Sequence, residues 1–159
     1  MISYVLAVVC AVLILAADQL TKYLVTQNLA VAQSAPFIPG LFRFTHVENG
    51  GAAWGFLSGH TWILLSLTIV VILICFALLI QYGLKSKIMF WSVSLILAGG
   101  VGNMIDRIFR GGTVVDFLDC CFLDFPVFNV ADCAIVIGSL LLALYFLKDV
   151  INEIKDRRN

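Results

Sequence analysis

The sequence predicts an all-α membrane protein with four transmembrane helices and a small region of β-structure on one membrane face. Of its 159 residues, 62% are hydrophobic and 13% are charged, and the mean hydropathy is +1.04. A soluble domain of this size could not hide that much apolar surface from water, so much of the surface must face lipid. Acidic and basic residues cancel to no net charge, which argues against a nucleic-acid partner.

Four hydrophobic segments carry this prediction, at about 2–25, 62–82, 88–109 and 130–147. Each is long enough to cross ~30 Å of hydrocarbon at ~1.5 Å per residue. Helices are the expected form because lipid cannot satisfy exposed backbone groups. The first segment lacks a basic n-region, so we expect a retained helix rather than a cleaved signal peptide. We expect one integral membrane domain over 1–159.

The distribution of lysine and arginine predicts that both termini are cytoplasmic. The short connection at 83–87 and the C-terminal tail are basic, and the positive-inside rule assigns both to the cytoplasm. The longer connections, at about 26–61 and 110–129, then lie on the extracytoplasmic face, where function is expected. The cytoplasmic set is Lys85, Lys87, Lys148, Lys155, Arg157 and Arg158, against Lys22, Arg43, Arg107 and Arg110 on the other side.

The first outer connection contains a segment with weak alternation of apolar and polar residues. Residues 41–47 read Leu-Phe-Arg-Phe-Thr-His-Val. Alternation of this kind is typical of a strand with one buried face. We therefore predict short strands that lie on the membrane surface.

Polar residues collect at the outer ends of the predicted helices, whereas the inner ends carry few. Ionisable groups at membrane depth are costly and usually mark a functional site. One coherent polar layer on one side therefore predicts a site at the extracytoplasmic face. The layer comprises Asp18, Gln19, Lys22, Asn103, Asp106, Arg107, Asn129 and Asp132, with Asn49 and Asp116 in the connecting loops.

Several members of this layer also have a structural interpretation. Asp18 and Lys22 have the spacing of an ordinary helical ion pair, so they either brace the fold or contact substrate. Arg107 could extend to lipid headgroups, and Asp119 has the pattern of a solvated loop acid. Three glycines in the third segment are expected to permit close helix packing. They are Gly99, Gly100 and Gly102.

Asp116 and Asp132 are the candidate catalytic residues. Asp116 is embedded in apolar residues just past the third segment, and Asp132 lies in the first turn of the fourth. A helix N-terminus favours a carboxylate, which explains Asp132 but not a second desolvated acid on the same side. Two adjacent carboxylates share a proton and supply an acid and a base at one pH. The pattern therefore indicates a two-aspartate peptidase site.

Other functions remain open from the residues alone. A small transporter could use Asp18 and Asp132 as a proton relay, although that predicts acids near mid-membrane. A thiol oxidoreductase would work through Cys120 and Cys121. No Cys or His spacing typical of a metal site is present.

Five motifs occur in order along the chain. They are Asp18-Gln19-Leu20-Thr21-Lys22, Asn49-Gly50-Gly51-Ala52-Ala53-Trp54-Gly55, Gly102-Asn103-Met104-Ile105-Asp106-Arg107, Val114-Val115-Asp116-Phe117 and Phe128-Asn129-Val130-Ala131-Asp132. With these motifs, and with the four-segment layout over its whole length, the chain resembles the lipoprotein signal peptidases (signal peptidase II), which are bacterial membrane aspartyl peptidases. A non-catalytic assembly factor for lipoproteins is a third alternative to a peptidase.

The resemblance implies a function and a set of site residues. Asp116 and Asp132 match the catalytic aspartates, and no metal or organic cofactor is implied. The implied substrate is a prolipoprotein cleaved just before its diacylglyceryl-modified lipobox cysteine, in the bacterial cytoplasmic membrane. A surface β-cradle, inhibition by globomycin, contact with membrane lipid and a monomeric state are also expected. The residues matching substrate-binding positions are Asn49, Asn103, Arg107, Asn129, Asp18 and Lys22.

Overall fold

The four hydrophobic segments form four long helices in the predicted order. A computed structural model of the chain describes residues 1–83 and 85–157, so Arg158, which was used to orient the chain, lies outside the described residues. Each helix is long and apolar enough to cross a membrane, which confirms the predicted fold class. The helices are α1 (Ile2–Asn28), α2 (Thr61–Leu78, continued by a π-helical turn over Leu79–Gly83), α3 (Lys87–Phe109) and α4 (Val130–Asp156).

The first and last helices, α1 and α4, extend further than hydropathy predicts. α1 ends at Asn28 rather than at about 25, and α4 ends at Asp156 rather than at about 147. The last turns of α4 are too polar to count as a span, yet lysine, glutamate and arginine are good helix formers. An ion pair of 2.6 Å between Arg157 Nη2 and Glu153 Oε1 supports the final turn. Hydropathy therefore marks the apolar part of α4 and misses its polar continuation.

α3 is the central helix of the bundle and packs against α1, α2 and α4. In the most apolar 18-residue stretch of α3, 56% of the residues are buried, whereas the corresponding share is 11% in α1 and in α2. Glycine lets α3 and α4 approach closely, because a side chain at Gly99 would run into the carbonyl of Ala131. On α4, a Cβ at Gly138 would lie 2.7 Å from the carbonyl oxygen of Ser92. The predicted role of Gly99 in helix packing is thus confirmed.

A three-stranded antiparallel sheet joins the helices at the end where α1 and α3 terminate. Its strands are β1 (Ser34–Ile38), β2 (Phe42–Asn49) and β3 (Val114–Cys120), in the order β1-β2-β3. The strand predicted at 41–47 is confirmed as part of β2. The third strand was not predicted, because β3 is buried along most of its length and lacks alternation.

Asp119 is not the solvated loop acid that the sequence indicated, because it belongs to this third strand. It lies in β3 and is 7% exposed. It accepts hydrogen bonds from Arg43 Nε at 2.6 Å and from Thr45 Oγ1 at 2.7 Å, both on β2. Burial raises the pKa of Asp119, but the hydrogen bonds from Thr45 and Arg43 and the guanidinium charge outweigh burial and hold that pKa below its usual value.

Candidate active site

Asp116 projects from β3 into a cavity of about 510 Å³. It is 2% exposed, and each of its oxygens accepts a hydrogen bond from an asparagine amide. Asn129 Nδ2 donates to Oδ1 at 2.6 Å, and Asn49 Nδ2 donates to Oδ2 at 2.9 Å. Asn49 reaches this position because it ends β2, which is paired with β3. The carboxyl group of Asp116 is thus held rigidly by neutral donors.

The environment of Asp116 favours its protonated form. Burial raises the pKa of Asp116 to about 7, and the negative charge of Asp132 acts in the same direction. The hydrogen bonds from Asn49 and Asn129, and the more distant charge of Lys22, oppose that rise without cancelling it. Near neutral pH this carboxyl group can therefore hold a proton or release one.

Asp132 lies in the first turn of α4 and lines the same cavity. It forms a capping box with Asn129, in which the backbone N–H of Asn129 donates to Asp132 Oδ2 at 3.2 Å. The backbone N–H of Asp132 in turn donates to Asn129 Oδ1 at 2.9 Å. Asn103 Nδ2 donates to Asp132 Oδ1 at 2.7 Å. Both oxygens of Asp132 are therefore positioned by amide donors, as those of Asp116 are.

Asn129 connects the two aspartates. Its Nδ2 donates to Asp116, and also to Asn103 Oδ1 at 3.1 Å, while its backbone holds Asp132. It is completely buried and does not line the cavity. Asn129 therefore fixes β3, α3 and α4 relative to one another. The acids that follow the third span and open the fourth face one cavity, as the sequence predicted, while their chemical role stays a prediction.

Arg107 and Asn103 contribute the polar wall of the cavity from α3. Arg107 Nη2 donates to the carbonyl oxygen of Gly51 at 2.9 Å, and Nη1 lies 3.4 Å from the carbonyl oxygen of Asn103. Its Nε is buried and has no hydrogen-bond partner within residues 1–83 and 85–157. A buried donor without a partner is costly, so this atom is available to an acceptor on a ligand.

Asp18 and Lys22 lie behind the cavity wall and not on it. Both are completely buried, and Lys22 Nζ is 2.9 Å from Asp18 Oδ2. Asp18 Oδ1 also accepts a hydrogen bond from the backbone N–H of Ala131 at 2.9 Å. Neither residue lines the cavity, so neither is placed to touch a ligand there. Of the predicted substrate-binding residues, Asn49, Asn103 and Arg107 face the cavity, whereas Asn129, Asp18 and Lys22 support it.

Asp106 completes this support, and the sequence assigned it no role. It is 1% exposed, and its Oδ2 lies 3.0 Å from Lys22 Nζ and accepts the backbone N–H of Val115 at 3.1 Å. Its Oδ1 is 3.3 Å from Arg110 Nε. The i, i+3 spacing of Asn103 and Asp106 places them on one helix face, which is the signal that could have linked Asp106 to the site.

Lys22 links this buried charge cluster to the cavity. Its Nζ donates to Asn103 Oδ1 at 3.0 Å, and the Nδ2 of the same amide donates to Asp132. The lysine therefore fixes the orientation of the Asn103 amide, with its oxygen towards the ammonium group and its nitrogen towards Asp132. The polar layer that the sequence indicated is thus one connected network.

Comparison with known proteins agrees with this architecture. Residues 10–148 match the family model described as signal peptidase (SPase) II. The lipoprotein signal peptidase of Bacillus pumilus is 40% identical over 151 residues, which is 94% of this chain and 94% of that protein. The lipoprotein signal peptidase of Enterococcus faecalis is 40% identical over 137 residues, covering 86% of this chain and 84% of the relative.

Two solved structures share the fold. A bacterial membrane enzyme determined at 2.3 Å by the in meso method has a TM-score of 0.87 and 36% identity, and the match covers 92% of this chain and 90% of that one. A second bacterial membrane enzyme, determined at 1.9 Å, has a TM-score of 0.80 and 36% identity over 90% of this chain and 93% of that one. The chain is therefore a multi-pass bacterial membrane protein of the signal peptidase II family.

Proposed function

We propose that this chain is a membrane aspartyl peptidase that removes signal peptides from prolipoproteins, with Asp116 and Asp132 as the catalytic pair. One observation carries the proposal. Two carboxylates line one cavity, both are held by amide donors, and no ion pair neutralises either of them within the described residues. This arrangement provides an acid and a base at one pH.

The raised pKa of Asp116 supports an assignment of roles. Asp116 enters the reaction protonated and donates its proton to the carbonyl oxygen of the scissile peptide bond. Asp132 enters ionised and takes a proton from a water molecule as that water attacks the carbonyl carbon. The resulting gem-diol collapses as Asp132 passes its proton to the leaving amine and Asp116 recovers a proton from a hydroxyl group. The two aspartates thus return to their starting protonation states.

The polar wall supplies substrate contacts in this mechanism. Arg107 Nε has no hydrogen-bond partner among the described residues, and we assign it to a carbonyl oxygen of the bound peptide. Asn49 and Asn103 each have a donor committed to a catalytic carboxylate. They therefore hold the acids in place and offer their remaining surface to the peptide backbone.

Asp18 and Lys22 take a positioning role in this proposal, in place of the direct substrate contact that the resemblance suggested. Both are buried behind the wall, and Lys22 acts on Asp132 through the Asn103 amide. An altered Lys22 would thus change the geometry of the base without removing a substrate contact. Asn129 acts in the same way, because all of its polar atoms are committed to Asp116, Asp132 and their neighbours.

The substrate class and orientation complete the proposal. The cleaved bond precedes a lipobox cysteine that carries diacylglycerol, so the acids work where a lipid anchor holds that cysteine at the membrane surface. Lysine and arginine bias supports cytoplasmic termini and a site near the extracytoplasmic face. We further propose that the enzyme works as one monomeric domain in the lipid of the cytoplasmic membrane, requires no metal, and binds globomycin-type cyclic peptides in the same cavity.

Cleavage of a lipidated lipobox peptide by purified protein tests the function. Asp116→Asn and Asp132→Asn are each expected to abolish cleavage and to remain folded, whereas EDTA has no effect on the unaltered enzyme. Asp124→Asn is the matched control, because Asp124 is an exposed loop acid outside the cavity lining. Normal turnover by either catalytic variant, or loss of turnover with chelator alone, would contradict the mechanism.

A further inference from the structure

A second cavity, of about 310 Å³, opens between α2 and α3 and meets the active-site cavity at Asp132. Asn103, Arg107 and Ile135 belong to the walls of both cavities. We call the second cavity the α2–α3 groove and define it by Leu64, Thr68 and Cys75 on α2 and by Ile96 and Gly100 on α3. A molecule held at the two aspartates can therefore extend into the groove without leaving the protein.

The groove has a defined depth. From Leu64 to Cys75 it follows α2 for ~16 Å at ~1.5 Å per residue, which is about half of the ~30 Å hydrocarbon thickness of a bilayer. Cys75 and Ile96 close its lower end, because they belong to a buried cluster with Met89 and Val93. The groove is therefore about as deep as one membrane leaflet and ends on a packed floor.

The lining of the groove is apolar even where it contains a hydroxyl group. Thr68 Oγ1 donates to the carbonyl oxygen of Leu64 in its own helix at 2.9 Å. The methyl group of Thr68 is the nearest atom to Gly100, at 4.0 Å from the position that a Cβ there would take. The hydroxyl group is thus satisfied locally, and the surface at mid-depth is a methyl group opposite a glycine.

Gly100 differs from the two glycines beside it on α3. A Cβ at Gly99 would clash with Ala131, and a Cβ at Gly102 would lie 2.8 Å from Asp18 Oδ2, so helix packing requires both glycines. A Cβ at Gly100 would meet only the Thr68 methyl at an ordinary contact distance. Glycine destabilises a helix interior relative to alanine. The packing role that the sequence predicted for Gly100 is therefore not what the structure requires, and the open space beside it lies inside the groove.

We propose that the α2–α3 groove binds one acyl chain of the diacylglyceryl group on the substrate cysteine, and that Gly100 determines which chain lengths fit. The inference rests on the proposed function, because it extends the same site. Three observations carry it: the groove shares wall residues with the aspartate cavity, its length along α2 matches one leaflet, and its wall contains a glycine that helix packing does not need. Burial of the chain would hold the scissile bond beside the two acids.

Two substrates that differ only in acyl length test the inference. Peptides with a dioctanoyl or a dipalmitoyl glyceryl cysteine are cleaved by the unaltered protein, by Gly100→Leu and by Gly100→Ala. Gly100→Leu fills the groove, and is expected to lower the ratio of kcat/KM for the long chain to that for the short chain by about tenfold or more, mainly through KM. Gly100→Ala is expected to lower the ratio in the same direction by less, and to keep or raise the thermal stability.

Ile69→Phe is the matched control, because Ile69 lies on α2 but is 49% exposed and faces away from the groove. Its ratio is expected to equal that of the unaltered protein. An unchanged ratio for both Gly100 variants overturns the groove assignment while leaving the proposed function intact. An equal fall for both chain lengths also overturns it, since the groove would then hold bulk phospholipid or serve packing. Failure of the unaltered protein to cleave either peptide removes the proposed function, and the groove assignment with it.

Discussion

Two pairs of aspartates lie close together where the helices meet the sheet, and they differ in how their charges are neutralised. Asp18 and Asp106 are both buried, with Lys22 Nζ at 2.9 Å from the first and 3.0 Å from the second. Asp116 and Asp132 are held by amides instead, and neither forms an ion pair within the described residues.

The difference separates a structural site from a chemical one. A buried carboxylate paired with a close cation ties together the elements that carry the two groups, because loss of either partner leaves a buried charge without compensation. A buried carboxylate with only neutral donors near a second carboxylate has two accessible protonation states, which is the property that acid–base chemistry requires. Burial alone therefore does not distinguish the two pairs; the lack of an ion pair to Asp116 and Asp132 within the described residues does.

The largest expected effect on stability comes from removing the cation of the neutralised pair. Lys22→Met leaves two buried carboxylates with one cation fewer, and is expected to lower the free energy of unfolding by ~3–5 kcal/mol. Unfolding of the purified protein in detergent, followed by denaturant titration, measures the change. Lys85→Met is the control, because Lys85 lies in the short connection before α3 and forms no ion pair within the described part of the chain. A stable Lys22→Met protein would show that the two pairs do not differ as described.

A smaller effect, concentrated on catalysis, is expected at the residue that joins the two acids proposed to be catalytic. Asn129→Ala removes the amide that holds Asp116 and the cap that begins α4. Loss of the cap costs ~1 kcal/mol of stability, whereas misplacement of the acids is expected to lower kcat by about a hundredfold.

Asn129→Ser provides the control for capping, because serine is also a good N-cap but offers no amide to Asp116. It is expected to recover stability without recovering kcat. Equal recovery of both quantities would mean that Asn129 only begins the helix, and that the acids do not depend on its amide.

The two pairs also differ in how far the sequence could predict them. Asp116 and Asp132 stood out because each is an acid in an apolar setting on one side of the membrane, and five ordered motifs supported them. Asp106 adjoins Arg107 in sequence, which hides the fact that its partner is Lys22 on another helix. A contact between α1 and α3 depends on how the helices pack, and hydropathy contains no information about packing.

The same limit explains the other differences. β3 is buried on both faces, so it lacks the alternation that identified β2, and only its pairing with β2 reveals it. Gly99 and Gly100 are adjacent glycines in the same apolar segment, and the sequence does not distinguish them. In the structure, Gly99 faces Ala131 and Gly100 faces an open groove. Periodicity predicts which elements form, whereas the neighbour that each side chain meets depends on tertiary structure.

The smallest expected effect is a shift in the pH dependence of the reactive pair. The Asn49 amide donates to Asp116 and favours its ionised form. Asn49→Ala removes that hydrogen bond, so the pKa of Asp116 is expected to rise further above about 7. In the proposed mechanism Asp116 acts in its protonated form, so the alkaline limb of the kcat/KM profile is expected to move to higher pH, by about one unit for one hydrogen bond to a charged group.

Hydrolysis rates of the lipidated peptide across the pH range measure this limb. Asn28→Ala is the control, because within the described residues the Asn28 side chain bonds only to its own helix, at the carbonyl oxygen of Leu24. If the limb moves to lower pH in Asn49→Ala, the group whose deprotonation produces that limb is not Asp116. The acid and base roles would then have to be exchanged. The other pair should respond differently: Asp18 and Asp106 do not line the cavity, so loss of one amide near them should leave the profile in place. The position of one pH limb therefore distinguishes acids that react from acids that support the fold.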